Sequence, residues 1–251
     1  MSPLRVLTVN IHKGFGFLNR RYTLAHLREA VRSTAADLVF LQEVMGAHER
    51  HAKRVNGWEA TPHHEYLADA LWGQFAYGRN AVYPNGDHHG NALLSKYPIL
   101  RHENRDVSIA GRDGEKRGLL HCVLDVPGAR QAVHAVCVHL GLGEAQRKQQ
   151  LDLMCHMVSI EVPPDAALVI AGDFNDWRVR AHRILARCAG LVDVHRHAHG
   201  RSARTFPARW PLLPLDRIYV RNVESHRPIA LPPKAWAHLS DHAPLAAEVT
   251  L

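Results

Sequence analysis

The chain has 251 residues, with 31 Lys and Arg against 24 Asp and Glu, for a formal net charge of +7. At 46% hydrophobic and 22% charged it is too apolar to be disordered, and its length lets it bury roughly 70–75% of its unfolded surface without a disulfide or metal staple. No apolar run approaches the ~18 residues of a membrane span, and Met1-Ser2-Pro3-Leu4-Arg5 leads straight into a strand-like stretch with no room for a signal peptide. The expectation is one domain over residues 1–251, cytoplasmic and monomeric. The positive balance favours an anionic partner: nucleic acid, a phosphorylated small molecule or an acidic lipid surface.

The coarse pattern interleaves strands and helices. Residues 4–10 read as a strand covered on both faces. Residues 22–33 carry Leu24, Leu27 and Val31 at helical spacing. Residues 37–42 form a short apolar strand running into Glu43, and 65–71 read as a helix. Strands follow at 91–95, 116–126 and 131–139, with Pro127-Gly128 turning between the last two. The clearest helix spans 143–160, with Leu151, Met154, Met157 and Val158 as its apolar stripe and Arg147, Lys148 and Gln150 facing water. A buried strand at 167–171, a helix at 179–188, a loop-rich basic stretch at 191–214 and strands at 215–220 and 245–251 complete the chain. With no strict strand–helix–strand rhythm, the pattern implies one mixed sheet or two packed sheets with helices outside. The spacing of Cys122, Cys137, Cys155 and Cys188 matches neither a zinc framework nor a secreted disulfide scaffold, so reduced cysteines are expected, Cys122 and Cys137 as core residues.

Four apolar strand-like runs end in a polar residue of catalytic type: Asn10, Glu43, His139 and Asp173, the last followed by Asn175. Strand ends sharing one sheet edge converge on one crevice and hold reactive groups rigidly. Asp216 opens another apolar strand, and Asp241-His242 precedes the last one. An adjacent Asp and His can supply a cation ligand and a general base, and a second carboxylate can fix the tautomer of that histidine.

These motifs run in order along nearly the whole chain: Thr8-Val9-Asn10-Ile11, Leu41-Gln42-Glu43-Val44, Gly90-Asn91-Ala92-Leu93-Leu94-Ser95, Val138-His139-Leu140, Gly172-Asp173-Phe174-Asn175, Leu215-Asp216-Arg217-Ile218 and Ser240-Asp241-His242. Together they resemble the endonuclease/exonuclease/phosphatase superfamily. The resemblance implies an α/β fold: a four-layer α/β/β/α sandwich, two mixed sheets face to face with helices outside and the site at one end. It implies Glu43 as the main divalent-cation ligand with Asn10 and Asp241 completing or supporting the site, and oxygen ligands of this kind suit Mg²⁺ or Mn²⁺. His242 is then the base that activates or orients water, with Asp216 as its partner. His139 contacts the scissile phosphate or assists the leaving group, while Asp173 and Asn175 position the nucleophile and stabilise the pentavalent phosphorus. Asn91 and, more loosely, Arg117 are substrate contacts. His12 stands where some nucleases of the family carry an acidic residue, and His139 where some abasic-site nucleases carry Tyr; both point away from abasic-site repair.

The loop from Arg201 to Leu213 is basic, aromatic and apolar. It reads either as a surface loop with tucked aromatics or as a recognition loop, with Arg204 on a phosphate and Phe206 and Trp210 on a base or lipid face. Histidines at 48/51, 63/64 and 195/197/199 read as solvated or packing residues, and His88 and His89 as candidates to line the site. The expected activity is Mg²⁺- or Mn²⁺-dependent hydrolysis of a phosphodiester in a nucleic acid or a phospholipid head group, with peripheral membrane contact compatible. The rivals are phosphomonoester hydrolysis and a catalytically decayed binding protein.

Overall fold

Each central strand is apolar on both faces, which requires a layer on either side. In β1 (Leu4–Asn10), Leu4 and Val6 face one core while Leu7 and Val9 face another; in β2 (Leu38–Met45), Leu38 and Phe40 alternate with Val39 and Leu41 in the same way. The computed structural model describes residues 3–19, 21–46, 52, 54–69, 71–109 and 116–251. Strands β1 and β2 join β3 (Gln74–Val82), β4 (His88–Ser95), β11 (Ser225–Ile229) and β12 (Leu245–Thr250) in a sheet of order β11-β12-β1-β2-β4-β3. The second sheet, β5-β6-β7-β8-β10-β9, holds β5 (Ile99–Asp106), β6 (Gly118–Leu124), β7 (Val133–His139), β8 (Leu168–Asp173), β9 (Val192–Asp193) and β10 (Asp216–Arg221).

The two sheets pack face to face over Val6, Phe40, Leu120, Cys137, Val169 and Ile218. Helices α1 (Leu24–Ser33), α2 (His63–Ala68) and α6 (Pro233–Trp236) cover the first sheet through Leu27, Leu67 and Trp236. On the second sheet, α3 (Glu144–Glu161) and α4 (Ala181–Ala189) bury Leu151, Met154 and Leu185, each such side chain adding about 1.5–3 kcal/mol. The result is the expected α/β/β/α sandwich. Helix α5 (Val194–His199), capped by Asp193, and the short β9 lie in the stretch expected to be loop.

Several local expectations are corrected. Arg147 and Gln150 do not face water: both are buried, Gln150 accepting from Gly141 N at 2.8 Å and donating to Val107 O at 3.1 Å. Their polarity serves the backbone after β7, which helical periodicity does not register. Cys155 and Cys188 form a disulfide between α3 and α4, with Cα atoms 5.8 Å apart. The pairing is set by how the two helices pack, 33 residues apart in sequence, so spacing could not reveal it. Cys122 and Cys137 are buried and free, as expected. Among the described residues no helix is long and apolar enough to cross a membrane.

The topology gathers one set of strand ends. β1 runs parallel to β2, with Asn10 opposite Gln42, and β7 runs parallel to β8, with His139 opposite Asp173. β10 lies antiparallel to β8, so its first residue, Asp216, is also opposite Asp173. Gly172 permits the close β7–β8 approach: at φ +147°, a Cβ there would lie 2.0 Å from Val138 O.

Candidate active site

Asp173, buried at the end of β8, is the hub. Asn175 N donates to its Oδ1 at 2.8 Å, and Asn10 Nδ2 donates to its Oδ2 at 3.2 Å. The same Oδ2 lies 3.6 Å from His139 Nε2 and 3.8 Å from His242 Nε2. Burial, then the Asp216 charge, pushes the Asp173 carboxyl up to about 6 against the pull of His242.

His242 Nδ1 donates to Asp216 Oδ2 at 2.8 Å, which aims Nε2 at the centre. Burial alone would lower its pKa, but the charges of Asp216, Asp173 and Asp241 overrule burial and raise it to about 10. His139 differs: burial, then the charge of Arg117, holds it well below the ordinary histidine value, so it is a neutral imidazole. The two histidines of the site thus shift in opposite directions: burial, then Arg117 and other positive neighbours, lowers His139, whereas three carboxylates outweigh burial at His242.

Glu43 sits at a β-bulge between Leu41 and Val44, with φ +55°, a region costly for a side chain that re-aims it out of the strand's alternation. Asn10 Nδ2 donates to Glu43 Oε1 at 3.2 Å, so this amide bridges Glu43 and Asp173, while its Oδ1 accepts from His12 N at 3.0 Å. Asp241 is pushed up by burial and by the Glu43 charge, against His242 and His12. Glu43 and Asp241 are thus close enough to repel, and an oxygen-rich cluster of this kind fits a hard divalent cation. Asp173, Asp216 and His242 also offer ligand atoms within 4.8 Å of one another. Two neighbouring oxygen-bearing groups of residues, Glu43 with Asp241 and Asp173 with Asp216 and His242, therefore meet at this end of the sandwich.

The remaining expected residues divide. Arg117 is buried beside His139, whose proton affinity it lowers. Asn175 Nδ2 donates to Leu140 O at 2.8 Å, tying the loops after β7 and β8 together. Asn91 Nδ2 donates across the sandwich to Gly118 O and Cys137 O, at 2.9 and 3.3 Å, which leaves only its Oδ1 without a hydrogen bond. Arg204 does not join the cluster; it is exposed and lines a separate cavity with His195 and Arg201.

Five further residues take part beside those expected to. His12 Nδ1 lies 3.6 Å from Asp241 Oδ1. Ser240 Oγ donates to Asn10 O at 2.6 Å, joining β1 to the last motif. Lys13 and His89 are near enough to lower the His139 pKa. Phe206 packs on His242 with ring centroids 5.0 Å apart, so that part of the recognition loop forms a site wall, while Trp210 is 69% exposed. Ser240 had a signal inside Ser-Asp-His, Phe206 in the recognition loop and His89 as a candidate to line the site; His12 had only its place where some nucleases carry an acidic residue, and Lys13 had no signal. His63 and His64 are packing residues of α2, and His48 and His51 lie outside the described residues.

The profile of the Endonuclease/Exonuclease/phosphatase family matches residues 7–242. A protein of Escherichia coli strain K12, described as uncharacterized protein YbhP, is 56% identical over 247 residues, covering 98% of this chain and 96% of its own. Among solved structures, the human Nocturnin catalytic domain with bound sulfate superposes with a TM-score of 0.74 at 17% identity, covering 99% of this chain and 93% of its own. An endonuclease/exonuclease/phosphatase from Beutenbergia cavernae gives 0.75 at 19%, covering 100% and 72%. D. rerio TDP2 complexed with a single-strand DNA product gives 0.68 at 19%, covering 100% of both chains.

Proposed function

This chain belongs to the Endonuclease/Exonuclease/phosphatase family, and from that premise we propose that it is a phosphodiesterase dependent on a divalent cation, Mg²⁺ or Mn²⁺. The observation that carries the reading is the convergence of Asp173, Asn10, His139 and His242 within hydrogen-bonding and ion-pairing distance at one end of the sandwich.

Glu43 and Asp241 would hold the cation, with Asn10 fixing the Glu43 carboxylate. The cation would neutralise charge on a phosphate oxygen and on a leaving alkoxide. The chain's own residues do the rest. Asp216 sets the His242 tautomer and orientation, and His242 Nε2 with Asp173 Oδ2 orients the attacking water, the imidazole taking the water's proton only in the form that has already lost its own. The neutral His139 and the Asn175 amide donate to the equatorial phosphate oxygens, while Arg117 contributes positive charge beside His139. Phe206 shields the imidazole from bulk water.

Two substrate sources compete, and each has an observation in its favour. Exposed Trp177 and Trp210, each with an arginine over its ring at 4.5 and 5.3 Å, suit stacked bases along a phosphate backbone. Exposed Leu18, Leu142 and Leu212, which respectively follow β1, follow β7 and precede β10, suit a lipid surface. The purified protein, assayed with Mg²⁺ or Mn²⁺ against plasmid, single-stranded oligonucleotide, phospholipid vesicles and phosphomonoesters in parallel, distinguishes them. Turnover of phosphomonoesters alone would overturn the phosphodiesterase reading.

A further inference from the structure

A cavity of about 540 Å³ is lined by His195, His199, Arg201, Ser202, Ala203 and Arg204. None of these residues is acidic. Neither Arg201 nor Arg204 has an ion-pair or hydrogen-bond partner for its guanidinium among the described residues, although arginines elsewhere on the surface pair with Glu144, Asp69 and Glu248. The nearest buried carboxylate, Asp193, is already engaged: it accepts from Ser202 Oγ at 2.8 Å and Arg196 N at 3.1 Å, and lies 3.6 Å from Arg217 Nε. It cannot neutralise the two arginines as well. His195 and Ser202 are the buried members of this lining. Unpaired guanidiniums around a concavity attract an anion.

The cavity is mechanically joined to the site. Arg204 precedes Thr205, a Cα spacing of about 3.8 Å. Thr205 Oγ1 accepts from Asp216 N at 3.2 Å and Thr205 O accepts from Ala243 N at 2.8 Å, next to His242. The backbone that carries Arg204 is therefore anchored to the segments that carry Asp216 and His242.

We propose that this cavity is a binding subsite for a second phosphate of the substrate, held by Arg201 and Arg204 with His195 and Ser202 beneath. The preferred substrate then carries a phosphate in addition to the diester that is cut. This rests on the phosphodiesterase reading and narrows it. The shared chemistry is a phosphate group on a nucleotide chain or on a lipid head group.

The test has a binding and a kinetic part. In EDTA, which removes any cation from Glu43 and Asp241, pyrophosphate is titrated calorimetrically into the full chain, into the Arg201→Ala/Arg204→Ala double variant, and into Arg130→Ala, a control in another cavity. Saturable binding weakened at least tenfold in the double variant alone is expected; no binding, or equal binding in all three, overturns the subsite. With Mg²⁺, KM is compared for a thymidine dinucleotide with and without a 5′-phosphate, and for glycerophosphoinositol with and without a 4-phosphate. In whichever pair is turned over, the extra phosphate lowers KM tenfold or more with little change in kcat, and the double variant erases that advantage. An advantage that is absent, or survives in the double variant, overturns the proposal. Pyrophosphate binding without hydrolysis of any diester would sink the phosphodiesterase reading and leave the anion site standing.

Discussion

His242 Nδ1 and Asp216 Oδ2 lie 2.8 Å apart, in a pair buried beneath Phe206 and supplied by two different motifs, one opening β10 and one just before β12. The hydrogen bond fixes which ring nitrogen faces Asp173. Replacing Asp216 by Asn keeps the shape but removes the charge and permits the wrong tautomer. Asp216→Asn is expected to lower kcat about a hundredfold or more with little change in KM, read by steady-state kinetics on a simple diester.

The carboxylates around His242 make it a cation when no metal is bound. A divalent cation held by Glu43 and Asp241, as proposed, would oppose that charge and favour loss of the proton. Titration of Mg²⁺ into the metal-free protein at pH 8 in weak buffer is expected to release about one proton per cation bound, and His242→Gln to release much less. Binding without proton release would show that His242 is neutral beforehand.

Gln150 tests the support of the loop after β7. Truncation to Ala strands Gly141 N and Val107 O, both otherwise satisfied by its side chain. Denaturant unfolding should show a loss of about 1–3 kcal/mol. Because Leu140 O holds Asn175, a several-fold drop in kcat should accompany it.

Acid stability follows from three buried histidines away from the cation ligands. Burial holds His64, His134 and His195 down to about 4, against roughly 6.5 in an unfolded chain. The unfolded chain thus takes up protons first. Stability from these groups is fully present above pH 6.5 and is lost as pH falls from 6.5 towards 4. Discounted for solvent screening, the three together cost about 1–2 kcal/mol per pH unit, or a few degrees of Tm by calorimetry. A Tm that is flat between pH 6.5 and 5 would contradict this.

Most of the architecture and the residues of the centre were legible because they follow simple rules. Strands buried on both faces read as apolar runs, and their polar last residues stand out against them, as at Asn10, His139 and Asp173. The edge strand β5 was hidden because 101–106 (Arg-His-Glu-Asn-Arg-Asp) is polar on both faces, as edges often are. Strands β3 and β11 were hidden by their mixed exposure. Buried Arg147 and Gln150 defied periodicity because they hydrogen-bond backbone. The part played by His12 and Phe206 depends on which loops meet, which no local pattern encodes.

The central claim is that Glu43, Asp173 and His242 form one cation-dependent hydrolytic centre. Its most direct test is hydrolysis of bis-p-nitrophenyl phosphate with Mg²⁺ or Mn²⁺ by the wild-type chain and by Glu43→Gln, Asp173→Asn and His242→Gln. The expected result is turnover abolished by EDTA, restored by the cation, and reduced at least a hundredfold in each folded variant. Full cation-dependent activity in Glu43→Gln or His242→Gln would contradict it.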